Sequence, residues 1–262
     1  MSTPDDVKAC CAAAYGSDAV ALLLGDCYHP GGLALTRRLA DRLGLSAGER
    51  VLDVAAGRGA TALLLAREYD ACVEGVDLSD ANVALAREAA DSAGVADRVR
   101  FRTGDAERLP APDATFDAAL CECAFCTFPD KATAAAELAR VLRPGGRVGI
   151  TDVTAEPDRL PPELATLAAW IACISDARPV EGYAQILRDA GLRVSRTEPH
   201  DQALSRMIDQ IEARLGIVAM TARSRAEQLG LDLDRAAPVI AAARTAVADG
   251  TLGYTLLVAG KS

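Results

Sequence analysis

Asp53, Gly57, Gly59 and Asp77 have the types and the spacing to hold a nucleoside. Residues Val51 to Gly59 form an apolar run that carries one acid and then turns through two glycines into a helix-like segment. A second apolar run, Val73 to Leu78, contains Asp77, 24 residues past Asp53. Backbone N–H groups at a helix start are unpaired and partly positive, and glycine lets them approach a ligand closely. A carboxylate at the end of the second run can accept from both hydroxyls of a ribose. Gly57 to Ala62 also fits the glycine/alanine variant of the dinucleotide fingerprint. Asp53 argues against that ligand. It stands before the glycines, where a carboxylate would repel a diphosphate but accept a cationic or zwitterionic group. S-Adenosylmethionine has a sulfonium, an ammonium and no phosphate, so charge favours it over a nicotinamide cofactor.

A second group of residues could meet an acceptor. Cys121-Glu122-Cys123-Ala124-Phe125-Cys126 places three thiols within six residues, after another apolar run. Reduced cysteines are small core hydrophobes, and Cys72 (inside a strand) and Cys10 and Cys11 (in an Ala-rich helix) are expected to pack. Cys123 and Cys173 stay open between packing and a site. A zinc site is disfavoured, because Cys-x-Cys-x-x-Cys lacks a fourth ligand and a paired spacing. A redox pair is disfavoured because no Cys-x-x-Cys opens a helix. His29, beside Tyr28, could act as base for an organic hydroxyl or carbon acid, or could cap a turn. His200 reads as a surface or turn residue.

These residues need elements to position them. Residues 4–25 are Ala-rich and helix-like, and Asp26 to Gly32 break that pattern with one proline and two glycines. Leu33–Leu43 returns to helical spacing. Strands are then predicted at Val51–Ala55, Cys72–Asp77, Val99–Thr103, Phe116–Cys121 and Val148–Val153. Helices are predicted between them at Thr61–Glu68, Ala81–Ala93 and Ala132–Leu142. Short alternating segments argue for parallel strands wound by right-handed crossovers. Past Val153 the pattern changes to a helical piece around Trp170, a helix at Tyr183–Ala190, a strand at Leu192–Thr197, helical spacing over 201–249 and a final strand at Gly253–Val258. The helical stretches at 156–180 and 200–250 suggest a cap over the core at 46–155, with residues 1–45 leading in. All of this fits one domain over residues 1–262.

Composition narrows the partner. Lys and Arg total 28 against 37 Asp and Glu, a net charge of −9, with no dense basic run. Nucleic-acid backbone is therefore not expected as a partner. No apolar stretch has the length of a membrane span, and the first residues carry acids where a secretory signal carries bases. A cytoplasmic protein is expected, with its eight cysteines reduced and a small molecule as partner. No feature of the sequence specifies an oligomeric state.

Taken in order, these motifs resemble class I S-adenosylmethionine-dependent methyltransferases, strongly over roughly residues 30–155 and loosely elsewhere. Asp53-Val54-Ala55-Ala56-Gly57-Arg58-Gly59 is similar to the family's first motif, with Ala55 in place of its first glycine. Asp77 matches the ribose acid, with Leu78 beside the adenine. Gly104-Asp105-Ala106 matches the segment whose acid meets the adenine amino group. Phe116 to Cys121 matches the fourth strand, which leads to the methyl-transfer site, and Leu142 to Gly146 the turn before the fifth. The resemblance implies an α/β, doubly wound, seven-stranded, mostly parallel Rossmann-like sheet whose last strand is antiparallel. It implies S-adenosylmethionine held by Asp53, Ala55, Gly57, Gly59, Asp77, Leu78, Asp105, Ala106 and Cys121, with Tyr15 closing over it or merely packing.

Within that family, Cys123 to Lys131 resembles the corresponding run of arsenite methyltransferases, with Glu122 replacing the usual Asn. Those enzymes place another cysteine ahead of a helix ending in Ala-Gly, as Cys173 precedes Ala190-Gly191, and a further one upstream of the first motif, a role for Cys27. The resemblance implies trivalent arsenic held by Cys27, Cys123 and Cys173 as the sharpest substrate; three thiolates suit a soft, three-coordinate metalloid. The alternatives are a C- or O-methyltransferase of a small organic molecule, quinone-like or a natural product, with His29 or Glu122 as polar contact, and a non-catalytic S-adenosylmethionine-binding protein.

Overall fold

The computed structural model describes residues 28–165, 174, 176–221, 223 and 233–262, together with Lys8 and Tyr15. The elements run α1 (Gly32–Leu43), β1 (Arg50–Val54), α2 (Ala60–Glu68), β2 (Cys72–Asp77), α3 (Asp80–Ala93), β3 (Val99–Thr103), β4 (Phe116–Glu122), α4 (Lys131–Val141) and β5 (Leu142–Ala155). They continue with α5 (Val180–Asp189), β6 (Leu192–Pro199), α6 (Asp201–Thr221), α7 (Leu233–Ala248) and β7 (Leu252–Lys261). The seven strands form one sheet in the order β3-β2-β1-β4-β5-β7-β6. β1 to β5 are parallel, and β7 runs antiparallel between β5 and β6.

The sequence explains the layering. β1 and β4 lie in the middle of the sheet with helices over both faces. Val51, Leu52 and Val54, and Ala118 to Cys121, are accordingly buried almost without alternation. Helix starts are marked by side chains. Ser79 accepts the Asn82 N–H at 3.3 Å to open α3, and Asp130 accepts the Thr133 N–H at 2.9 Å to open α4. Gly44 and Gly94 close α1 and α3 in left-handed conformations.

Two expectations need adjustment. β5 starts at Leu142, not Val148, because Leu142 pairs with Phe116 before the register shifts across the Arg143–Gly146 turn and Arg147 meets Ala118. Cys72, expected to pack, is exposed. It opens β2 ahead of the buried positions Val73, Gly75 and Val76. The helical spacing over 201–249 resolves into α6 and α7, which pack on each other and on β7.

Gly75 in β2 is required by packing. A Cβ there would collide with the buried ring of Phe101 and stand 3.0 Å from the Ala56 Cβ. Gly75→Ala is expected to cost about 1–3 kcal/mol through overpacking. Thermal melts check this, and an unchanged Tm would show that Phe101 can move aside.

Candidate functional site

The strand ends bring the chemistry together. Past the C-terminal ends of β1, β2, β3 and β4 lies a cavity of about 630 Å³, its open mouth included. It lies in the place where open α/β sheets bind ligands. Val54, Ala55, Val76, Asp77, Leu78, Asn82, Asp105, Ala106, Ala124, Thr127 and Phe128 line it, with Lys8 and Tyr15. Ala55, Asp77, Leu78, Asp105 and Ala106, singled out from the sequence, thus share one wall.

The glycine turn is tied to the acid of the second strand. Asp77 accepts the Gly57 N–H at 2.8 Å on one oxygen, and on the other the Ser79 N–H at 2.9 Å and the Asn82 side-chain amide at 3.2 Å. Gly59 has φ +87°, and a Cβ there would come 2.7 Å from the Phe101 ring and 3.1 Å from Ala86. This glycine lets the turn adopt a left-handed conformation and lets α2 lie close to its neighbours. Ala55 has φ +59°, a conformation that costs an L residue about 1–2 kcal/mol and explains the glycine usual there in the resembled motif.

Asp53 and Glu122 do not line the cavity but directly precede wall-forming segments, Asp53 before Val54 and Glu122 two residues before Ala124. Asp53 is buried, and its Oδ2 accepts no hydrogen bond among the described residues. Burial holds its carboxyl well above the ordinary carboxylate range; the fields of Glu122 and Asp77 add to this, and the Ala62 N–H opposes it. Burial also raises Asp77, against the bonds from Ser79, Gly57 and Asn82. Glu122, at the end of β4, accepts the Thr61 hydroxyl at 2.6 Å and the Thr36 hydroxyl at 3.1 Å. The His29 Nε2 stands 3.8 Å from it. Asp53, whose Oδ2 is orphaned, thus feels both Glu122 and Asp77, and such a group of acids fits a ligand bearing positive charge and no phosphate. Asn82 Oδ1, buried and also without a partner among the described residues, offers a second acceptor on the cavity wall.

The raised Asp53 has a consequence for stability. An acid whose folded pKa is raised contributes stability that is fully present below its unfolded pKa and lost as pH rises through the folded value. The ligand-free protein is expected to lose stability as pH climbs from the ordinary carboxylate range through the folded pKa of Asp53. Asp53→Asn should flatten that slope in a series of thermal melts, and equal slopes in the two proteins would contradict this.

Lys8, Asn82, Thr127 and Phe128 on the cavity wall, and Thr36 and Thr61, which hold Glu122, carry no sequence signal that singles them out, Asn82 excepted. Lys8 pairs with Asp105 at 2.7 Å and with Glu107. A lysine in an Ala-rich helical stretch carries no motif. Asn82 had a usable signal, since it follows Asp77 by five residues in the first turn of the next helix. The Tyr15 and Tyr28 rings lie 6.3 Å apart, and the Arg58 guanidinium stands 5.9 Å from the Tyr28 ring centre.

The cysteines separate. Cys121 is fully buried in β4, is not among the lining residues, and has its thiol pushed far up by burial, with Asp152, Asp53 and Glu122 adding to it. Cys126 is buried as well. Cys123 is half-buried, has φ +53°, and directly precedes the cavity residue Ala124. Cys27 and Cys173 lie outside the described residues. Among the described residues no three His, Cys, Asp or Glu side chains converge as a metal site, and no helix is long and apolar enough to cross a membrane. His200 follows β6, partly buried and 3.7 Å from Glu198, with its basicity lowered by burial.

Known proteins share this arrangement. A family model described as a methyltransferase domain matches residues 51–146. Methyltransferase GfsG of Streptomyces halstedii is 32% identical over 88% of this chain and 80% of its own length. The 27-O-demethylrifamycin SV methyltransferase of Amycolatopsis mediterranei is 35% identical over 64% of this chain and 62% of its own. The crystal structure of the cyclase SpnF superposes with a TM-score of 0.75 and 26% identity, covering 100% of this chain and 97% of SpnF. Solved proteins of this fold hold S-adenosylmethionine or S-adenosylhomocysteine. With the seven-stranded sheet and the cavity at its strand ends, these findings show that the chain belongs to the class I S-adenosylmethionine-dependent methyltransferases.

Proposed function

We propose that the protein methylates an oxygen, or an acidic carbon, of a small organic molecule, and that His29 and Glu122 handle the acceptor's proton. The observation that carries this reading is the His29–Glu122 pair, in which the buried His29 meets Glu122 at the end of β4, two residues before the cavity residue Ala124. A relative whose named substrate is 27-O-demethylrifamycin SV supports it.

In this reading Asp77 and Asn82 hold the ribose, and Leu78, Asp105 and Ala106 the adenine. Ala55, Gly57 and Gly59 lie along the methionine portion, and Asp53 faces its positive charge. Cys121 backs the site from within the sheet. When bound, S-adenosylmethionine supplies a methyl group already activated on sulfur. The protein then has to align, desolvate and remove one proton. Val54, Val76, Leu78 and Phe128 give the cavity apolar walls that exclude water. Thr36 and Thr61 fix the Glu122 carboxylate, which stabilises a proton taken up by His29 from the acceptor. Residues 46–155 serve as donor core and residues 1–45 as cover, consistent with Lys8 and Tyr15 on the cavity wall. The stretches 156–180 and 200–250, with α6 and α7, serve as cap.

One observation favours a second reading, methylation of trivalent arsenic. Cys123 stands next to the cavity, and Lys131 at the start of α4 pairs with Asp176 at 2.5 Å. This ties the stretch that follows Cys173 to the turn that follows Cys123. Labelled methyl transfer from S-adenosylmethionine to a panel of phenols, quinols, aliphatic alcohols, thiols and arsenite tests both. Label on a hydroxyl or carbon, unaffected by Cys123→Ser, supports the first reading. Label on arsenic, abolished by Cys123→Ser, supports the second. A panel compound rearranged without gaining label would point to a cofactor-binding enzyme of another chemistry.

A further inference from the structure

The turn between β4 and α4 forms part of the cavity wall through Ala124, Thr127 and Phe128, and it is held by two buried charged side chains that do not line the cavity. Asp152 in β5 is fully buried, and its Oδ2 accepts the Cys126 N–H at 2.8 Å while its Oδ1 accepts the Val153 N–H at 2.7 Å. Lys131 is 5% exposed; its Nζ donates to the Phe128 carbonyl at 3.0 Å and to Asp176 at 2.5 Å. Between these anchors, Phe125 is fully buried and meets the Phe128 and Tyr183 rings edge-on, each at 5.8 Å. The Tyr183 hydroxyl in turn donates to the Val153 carbonyl at 3.1 Å.

Helix formation does not explain Lys131, because a cation at a helix N-terminus opposes the macrodipole. Burying a charge is costly unless it is paired. Packing does not call for a carboxylate at position 152 either, where an apolar residue would fill the sheet without burying an acid. What both charges do is grip backbone atoms of one short turn: an N–H at its middle and a carbonyl at its end. At Cys123, where the turn begins, φ is +53° and the N–H bonds the Thr151 carbonyl at 2.6 Å. The backbone there lies in a region that neighbours must hold.

We propose that Asp152 and Lys131 are positioning residues for methyl transfer: they clamp the 125–128 turn from two sides and so fix the cavity wall against which the donor's methyl group is aligned. This rests on the cofactor, not on the identity of the acceptor. A misplacement of about 1 Å can cost on the order of a hundredfold in rate, so a clamp outside the cavity can matter for alignment without touching the ligand.

The test reads the donor methyl directly, with the full chain saturated with methyl-13C-labelled S-adenosylmethionine and no acceptor present. The wild type is expected to give one sharp bound methyl resonance in a 13C-edited spectrum. Lys131→Met is expected to shift or broaden it, and Lys131→Arg, which keeps a cation for Asp176 and Phe128, to restore it. Asp152→Asn is expected to perturb it in the same sense. A wild-type resonance in a folded Lys131→Met overturns the proposal, even if its Tm has fallen. A perturbation that Lys131→Arg leaves in place also overturns it, since the effect would then come from packing rather than charge. If Asp152→Asn does not fold, the two Lys131 variants decide the matter.

Discussion

Asp77→Ala is expected to raise the Kd for S-adenosylmethionine by about thirtyfold, equivalent to about 2 kcal/mol. The carboxylate organises the site before any ligand arrives. It joins the Gly57 N–H, the Ser79 N–H and the Asn82 amide, so one side chain sets the glycine turn, the start of α3 and the second acceptor on the wall. Each carboxylate oxygen can take more than one hydrogen bond, which leaves room for ribose hydroxyls. Alanine removes the ribose acceptor and leaves the Gly57 N–H without its partner. Asp77→Asn keeps one acceptor oxygen and should lose less. Calorimetry with S-adenosylhomocysteine separates these variants, and Tm shows whether the fold survives. Binding by Asp77→Ala within about threefold of wild type would show that the ribose is held elsewhere.

The sequence reveals this half of the site because its residues act through backbone geometry tied to fixed positions. A strand, a glycine turn and a helix can be read from Val51 to Glu68, and the acid of the next strand is found by counting to Asp77. Cys72–Asp77 and Val99–Thr103 coincide with β2 and β3 to the residue; in the edge strand β3 the alternation of Val99 and Phe101 with Arg100 and Arg102 marks one buried and one exposed face. Other features depend on tertiary contact and have no local pattern. Thr36 and Thr61 reach Glu122 from 86 and 61 residues away, and Lys8 reaches Asp105 from 97. Of the long β5 the sequence shows Val148–Val153 and not its start, because Arg143-Pro144-Gly145-Gly146 reads as a turn although the strand pairs on both sides of it. Cys121, Cys123 and Cys126 look alike in sequence. Burial tells them apart, removing Cys121 and Cys126 from the surface and leaving Cys123 beside the cavity.

His29→Ala is expected to lower kcat by about a hundredfold, the scale of a lost general base, while the Kd for S-adenosylhomocysteine stays near wild type. The expectation follows from position: His29 faces Glu122 at 3.8 Å and is absent from the cavity wall. Glu122→Gln should lower kcat as well, because glutamine can hold the Thr36 and Thr61 hydroxyls but cannot stabilise a proton on the imidazole. It should also weaken donor binding, since the Glu122 charge bears on Asp53, and this second effect separates the two roles. An undiminished kcat in His29→Ala, together with a rate that collapses in Cys123→Ser, would move the proton-handling role out of this pair and place the acceptor at Cys123. The comparison discriminates because His29 precedes α1 and Cys123 follows β4, so the two substitutions alter different segments of the site.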